Sequence, residues 1–406
     1  QPPRVPARLD RLAAHASMIT SASAAEVSQR AQQWLTSHRY RFVVDDDGSL
    51  RAEAGRHRET GNLVFHIFLV FVLVGVGWNT LWGFKGTSVV VEGQGFSNSI
   101  TQYDEFKAGA MVDTDNLTPF SMKLRKFVVS FETGTVQRGA ARSFDATVDL
   151  TMGGKTQTRD LQVNHPLRIG STKVHLLGHG YAADVVVRDG DGKVAYSGPV
   201  VFLPQDANFK SVGVIKVPDA RPDRLAFQGF FLPTGAITAG GPTSLFPDAL
   251  NPQLYLTAWY GKPTVETGVP SNIYTLDTTG LTQVTNGKDK ARFVLSPGQR
   301  YKLPDGKGSI QFNGWQRWAK IQVSQNPGLP LTFLSVVLSV AGLCVSLFSR
   351  SRRVWVRTIP GDDGLRVEIG GLDRSDSRSG AVDDVNSLLA ALHGDSMSGD
   401  VGEEHS

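Results

Sequence analysis

Leu63-Val64-Phe65-His66-Ile67-Phe68-Leu69-Val70-Phe71-Val72-Leu73-Val74-Gly75-Val76-Gly77-Trp78 is the stretch that decides the architecture. It carries no formal charge and one histidine. Extended to Phe84 it is about 22 residues, or ~33 Å as a helix, which matches a hydrocarbon core. Trp78 and Trp82 sit at one end, where interfacial aromatics belong. A helix buried in a soluble protein is the competing reading; length and flanks favour a span. A second uncharged run covers residues 331–349, and Leu329 and Pro330 make it long enough to cross. Its Ser335/Ser339 and Gly342/Ser346 pairs have the small-xxx-small spacing that lets helices approach closely in lipid.

The averages conceal these two runs. The chain has 406 residues, 40% apolar and 20% charged. Its mean hydropathy of −0.15 is that of a soluble protein. Such averages exclude a protein built mostly of spans, a collagen, a coiled coil and a fully disordered chain. With 42 basic against 38 acidic residues there is no basic stripe for nucleic acid. Cys344 is the only cysteine, so this chain by itself offers no disulfide, CxxC pair or CxxCH haem attachment site. Inside the second run it reads as a packing residue rather than a reactive thiol. The first residue is Gln1, and no basic segment followed by an apolar one opens the chain. The sequence therefore reads as a fragment or processed product of something longer.

The flanks set an expected topology. Arg51, Arg56 and Arg58 precede the first span, and Arg350, Arg352, Arg353 and Arg357 follow the second. By the positive-inside rule both ends are cytoplasmic and the long segment between the spans lies outside. The basic cluster after the second span also suits anionic membrane lipid. Residues 1–61 predict a helix from a Ser23/Glu26 capping box to about His38, then strands at 40–44 and 50–54. Residues 350–393 predict two strands around Pro360-Gly361-Asp362-Asp363-Gly364 and a helix over 382–392. Neither end buries much alone, so the two are expected to pair under the membrane. Between the spans, short strands alternate with Gly, Pro and Asp clusters, at 88–93, 127–131, 145–150, 173–177, 184–187, 195–197, 253–259 and 301–303. That pattern predicts antiparallel, sandwich-like sheets.

The expected fold class is a membrane protein with two transmembrane helices, a large β-rich extracytoplasmic domain and a small α/β cytoplasmic domain. Its parts are a cytoplasmic segment 1–61, a span 62–84, the β-rich domain 85–328, a span 329–349, a cytoplasmic segment 350–393 and a disordered tail 394–406.

His66 is the sharpest candidate for chemistry. An ionisable residue inside a span needs a purpose or a partner. Neutral imidazole is a good ligand for haem iron. The alternative is a His bonded to a neighbouring helix or reaching the headgroups. His165, His175 and His179 lie in the β-rich domain without a carboxylate or cysteine cluster, and Gly178 and Gly180 suggest a turn there. They read as structural. Gly93-Gln94-Gly95 lacks the third glycine and following helix of a dinucleotide fingerprint, and no P-loop, HExxH or GxSxG occurs.

Several stretches together resemble the ResB (CcsB) family of System II cytochrome c biogenesis proteins. They are Arg58-Glu59-Thr60-Gly61-Asn62-Leu63-Val64-Phe65-His66, Val91-Glu92-Gly93-Gln94-Gly95-Phe96, Gln102-Tyr103-Asp104, Pro119-Phe120-Ser121 and Phe131-Glu132-Thr133-Gly134. Val163-Asn164-His165-Pro166-Leu167, Leu177-Gly178-His179-Gly180-Tyr181-Ala182 and Gln322-Val323-Ser324-Gln325-Asn326-Pro327-Gly328 continue the series. They run in family order across nearly the whole chain. Two departures stand out: two further upstream spans are missing, and Asn326 stands where relatives often have Asp.

The resemblance implies one subunit of a haem-handling complex for cytochrome c maturation, itself non-catalytic within a holocytochrome c synthase. It implies a multi-pass protein of the bacterial cell membrane. It implies His66 as an axial ligand of haem b, binding the haem iron, with any second ligand supplied by a partner. The implied partners are a ResC/CcsA-type polytopic haem-handling subunit, apocytochrome c and a thiol-disulfide oxidoreductase; no nucleic acid is involved. The rival class is a membrane-anchored extracytoplasmic binding or scaffold module with no haem role. A stand-alone transporter is disfavoured, since two spans make too thin a pathway.

Overall fold

A computed structural model describes residues 2–55, 57–263, 274–349, 351–373 and 379–393. The expected tail 394–406, and Arg56 and Arg350 of the two basic flanks, lie outside the described residues. The chain divides into two compact units, Gln1–Gly77 with Gly328–Ser406, and Trp78–Pro327.

In the first unit the two ends of the chain build one antiparallel sheet. Its order is Ala14–Thr20, Gly364–Asp373, Arg352–Gly361, Leu50–Ala54, Arg41–Val44. Helix α1 (Ala24–Ser37) starts at the capping box, where Ser23 Oγ accepts from the Glu26 amide and the Glu26 carboxylate accepts from the Ser23 amide. Its stripe of Val27, Ala31, Trp34 and Leu35 packs into one core with Val385, Leu388 and Leu392 and with Val354, Val356, Val367 and Ile369 of the sheet. The N-terminal segment is not simply helix-strand-strand: Ala14–Thr20 is an additional strand ahead of the helix. Its inward residues, Ala14, Ala16 and Met18, are mostly small, while Ile19 is exposed. The apolar alternation that marks a strand is therefore faint, and pairing with Gly364–Asp373 fixes it.

Helix α2 runs His57–Trp82 and opens ahead of the apolar stretch, because Arg58, Glu59 and Thr60 add a polar first turn. It ends where the Gly83 amide donates to the Asn79 carbonyl, and a strand begins at Phe84. Helix α3 runs Leu329–Phe348. Both are long and apolar enough to cross a membrane. Leu63, Leu69, Val70 and Leu73 of α2 and Phe333, Leu334, Leu347 and Phe348 of α3 are exposed. Helices from a soluble core would bury such residues. The two helices meet on small residues. A Cβ on Gly61 would lie 2.6 Å from the Ser346 amide, and one on Gly342 2.8 Å from the Phe65 amide. Ser335 and Ser339 are buried on the same face. The small-xxx-small spacing is the seam of this hairpin. Helix α4 (Ser379–His393) closes the unit.

The second unit is antiparallel β-structure. Thr172–Arg188 and Ser309–Gln325 are its two longest strands and pair along most of their length. A twelve-stranded sheet grows outward from them, through Phe84–Val91 and Glu105–Ala108 on one side and Val194–Pro204, Ser211–Val217, Arg224–Leu232 and Gln253–Gly261 on the other. A four-stranded sheet of Gly95–Ser97, Ser121–Phe131, Ala141–Met152 and Lys155–Gln162 covers one end of the long pair. There Phe127, Val129, Val148 and Leu150 pack on Val174, Leu176, Ala319 and Ile321 in sandwich fashion. Past that end, Tyr181, Val185, Phe312, Phe227 and Leu256 form a second core.

The separate strands expected at 173–177 and 184–187 are one strand, with no turn at Gly178. Leu177 is the extra residue of a bulge, since Leu176 pairs with Ile321 and Gly178 with Lys320. Gly180 is small because the Trp318 ring lies over it, and a Cβ there would fall 2.3 Å from that ring. The glycines mark a bulge and a close approach instead.

Candidate functional site

His66 sits on α2 on the side turned away from α3. It is exposed, whereas Gly61, Val64, Phe65 and Phe68 line or border the seam. Its Nδ1 is 2.8 Å from the Asn62 carbonyl oxygen one turn back. A carbonyl only accepts, so Nδ1 carries the proton and donates. The Nε2 lone pair is then directed away from the helix backbone. This is the usual preparation of a metal-ligating imidazole: one nitrogen oriented by a backbone acceptor, the other presented. The residues thus fit one axial position of a haem. α3 contains no histidine, and His66 is the only one within the apolar part of α2. Among the described residues no three His, Cys, Asp or Glu side chains converge as a metal group.

The three histidines of the β-unit go separate ways. His165 is exposed in the turn after Lys155–Gln162, with Nδ1 3.3 Å from the Val163 carbonyl. His175 and His179 belong to one strand but face opposite sides of it. The bulge at Leu177 inverts the alternation, so His179 shares a face with Leu176 while His175 shares one with Gly178. His175 is held below the usual imidazole range by burial and then by Lys173. His179 is enclosed by Phe127, Phe144 and Phe209, the last stacked at 4.7 Å. Burial and then the Arg317 charge push its imidazole down to about 4, so it is neutral at neutral pH.

Arg317 is the residue the sequence reading missed. It lies directly across from Tyr181, where one core gives way to the other. A lone arginine in a β-strand carries no signal of its own; only the strand register puts it inside. Glu92, from the Val91-Glu92-Gly93-Gln94-Gly95-Phe96 motif, has a structural duty nearby. Its two oxygens accept from the Phe127 amide at 2.6 Å and the Arg317 amide at 3.1 Å, tying the two sheets together. The expected lipid-facing arginines are engaged elsewhere: Arg352 pairs with Asp384 at 2.9 Å and Arg353 with Glu53 at 3.2 Å. Asn326 is exposed and donates to Ser324 Oγ.

The profile of the ResB-like family matches residues 1–382. Three curated relatives are each called cytochrome c biogenesis protein CcsB. The one from Synechococcus sp. (strain JA-3-3Ab) is 22% identical over 77% of this chain and 55% of its own length. That of Picosynechococcus sp. (strain ATCC 27264 / PCC 7002 / PR-6) is 28% identical over 34% of this chain and 28% of its own. That of Microcystis aeruginosa (strain NIES-843 / IAM M-2473) is 20% identical over 81% of this chain and 60% of its own. The chain therefore spans less than two thirds of each relative. With the match running unbroken through the apolar helices, the β-rich unit and most of the second terminal segment, the chain belongs to the ResB-like family.

Proposed function

We propose that this chain is a membrane-anchored subunit of a cytochrome c biogenesis machine, and that His66 holds haem b within the membrane. The observation that carries this reading is the imidazole on the outward side of α2, with Nδ1 bonded to Asn62 and Nε2 unengaged. The relatives' shared name supplies the process. Haem b, when bound, would supply an iron centre that an imidazole nitrogen can hold. This chain's part is to fix the ring, keep its tautomer and present Nε2 on an apolar helix that excludes water. In this reading the second ligand comes from a ResC/CcsA-type polytopic subunit. The same face of α2 then becomes the contact with that subunit.

In this reading both ends of the chain are cytoplasmic and the β-rich unit lies outside the bacterial cell membrane. His66, near the inner end of α2, would be the residue that holds haem made inside the cell. The β-rich unit is a platform for the partner subunit and for apocytochrome c. Thiol chemistry falls to a separate thiol-disulfide oxidoreductase, since Cys344 is alone and sits in α3. The chain itself contributes ligand and platform rather than a catalytic group.

The visible spectrum of the complex purified from its native membrane tests this. Wild type should show a haem b Soret band, and His66→Ala should lose most of it while expressing to a similar level. An unchanged spectrum in the variant rejects the assignment. A colourless wild-type complex would favour the scaffold without haem.

A further inference from the structure

At the junction of the two β-cores lies a cluster that the proposed function leaves unused. Arg317 is 5% exposed, and His179 lies diagonally beside it on the neighbouring strand, on the same face of the sheet. Asp248 takes one end of the guanidinium, Oδ1 to Nη2 at 2.7 Å. The other terminal nitrogen, Nη1, is buried with no hydrogen-bond partner, and so is Nδ1 of His179. A buried donor of a charged group left unpaired costs more than an ordinary lost hydrogen bond. Two buried nitrogens without partners on one sheet face, one of a guanidinium and one of a neutral imidazole, are therefore a functional clue. Aromatic rings fill the space around them. Phe131 lies 6.3 Å from the His179 ring and 5.8 Å from the Arg317 guanidinium, and Tyr181 sits 4.9 Å from the same guanidinium. The rings favour a cation and a flat partner, but they satisfy no hydrogen bond.

Three loops close over the cluster. Residues 132–140 and 245–250 touch through Gly139 and Pro247, and the Pro247 carbonyl accepts from Tyr181 Oη at 2.7 Å. The third loop, 205–210, brings Phe209 onto His179. Phe209 has φ +58°, a left-handed conformation that a bulky side chain adopts only under constraint. The constraint is local: the Asp206 carboxylate accepts from the amides of Asn208 and Lys210. Strain of this kind gathers at ligand clamps. The rim is apolar, with Val136 76% and Leu245 60% exposed.

We propose that His179 and Arg317 form a second binding site in this chain, for the carboxylate of a porphyrin propionate. The guanidinium Nη1 and a protonated Nδ1 of the neutral imidazole are both donors, suited to one carboxylate between them. The flat body of the ligand would take the stacking place now held by Phe209 and rest on the apolar rim. Asp248 orients the guanidinium and competes with the incoming acid for it. The inference rests on the haem-handling reading for the choice of porphyrin, and places a carrying point in the β-unit in addition to His66.

The test uses the purified full chain in detergent and metal-free protoporphyrin IX, which cannot be ligated through iron by His66. Its dimethyl ester, the same flat body without free acids, is the control. Porphyrin fluorescence should report the free acid binding about tenfold or more tightly than the ester. Arg317→Gln should erase that preference, and His179→Phe, which keeps the aromatic box, should reduce it severalfold. Asp248→Asn should strengthen acid binding, a gain that damaged folding would not produce. Equal binding of acid and ester by the wild type overturns the proposal without recourse to any variant. So does an acid preference that survives in both Arg317→Gln and His179→Phe. Either failure leaves the His66 spectrum, and the reading drawn from it, untouched.

Discussion

Single residues in the β-unit are held by contacts whose loss has a calculable sign. Trp318 cannot move away from a Cβ added at Gly180, because its Nε1 donates to the Tyr181 and Phe202 carbonyls at 3.0 and 3.1 Å. Gly180→Ala should therefore destabilise the protein by about 1–3 kcal/mol, read from denaturant midpoints. His179 makes stability depend on pH. Its folded pKa is about 4 against about 6.5 for a free imidazole, so between these values the unfolded chain holds the proton and the folded chain does not. Stability is then full above about pH 7 and is lost as pH falls toward 4, by up to about 3 kcal/mol. Melting temperatures from pH 7 to 4 should fall more steeply for wild type than for His179→Phe. Parallel curves would show that the ring does not titrate as its surroundings require.

At the scale of elements, the hairpin of α2 and α3 depends on glycine and serine letting the backbones approach. Gly342 would bring a Cβ within 2.8 Å of the Phe65 amide and 2.9 Å of the Gly61 carbonyl. Those are backbone atoms of a regular helix and have little room to shift. Gly342→Leu should push the helices apart and cost about 1–3 kcal/mol, seen as a lower melting temperature in detergent. Val340→Leu, on the exposed side of α3, should change it little. The strand Thr172–Arg188 makes the complementary point. One extra residue at Leu177 decides which face His179 occupies, and so whether it meets phenylalanines or solvent.

Across the whole molecule, the chain begins and ends in the same unit, and the β-rich unit is an insertion between α2 and α3. The terminal segments hold one another through a small polar network as well as a core. Tyr40 Oη donates to Asp384 at 2.6 Å, and both Asp384 oxygens accept from Arg352 Nη1. Trp34 Nε1 donates to Ser387 Oγ at 3.2 Å. Burial and the Asp384 carboxylate hold the Tyr40 phenol far above its usual range, so it stays a donor at any ordinary pH. Asp384→Ala leaves the Tyr40 hydroxyl and the Arg352 guanidinium without their shared acceptor. It should cost about 2–4 kcal/mol and expose the N-terminal segment to protease, although that segment lies far away in sequence.

The two apolar helices, the antiparallel β-rich character of what lies between them, the small-residue seam and His66 as a ligand candidate are all legible in the order of residues. These are local properties: an uncharged run of the right length, alternation, a fixed small-residue spacing, and an ionisable residue in an apolar stretch. The rest comes from contacts between segments far apart in the chain. The strand Ala14–Thr20 exists because Gly364–Asp373 pairs with it, not because Ala-His-Ala-Ser-Met-Ile-Thr favours extension. The glycines at 178 and 180 read as a turn until the Trp318 ring and a bulge account for them. Arg317, Asp248, Phe209 and His179 are scattered along the chain and share no spacing. They meet because strand register and three loops bring them together, and register is a property of paired strands that no single segment encodes.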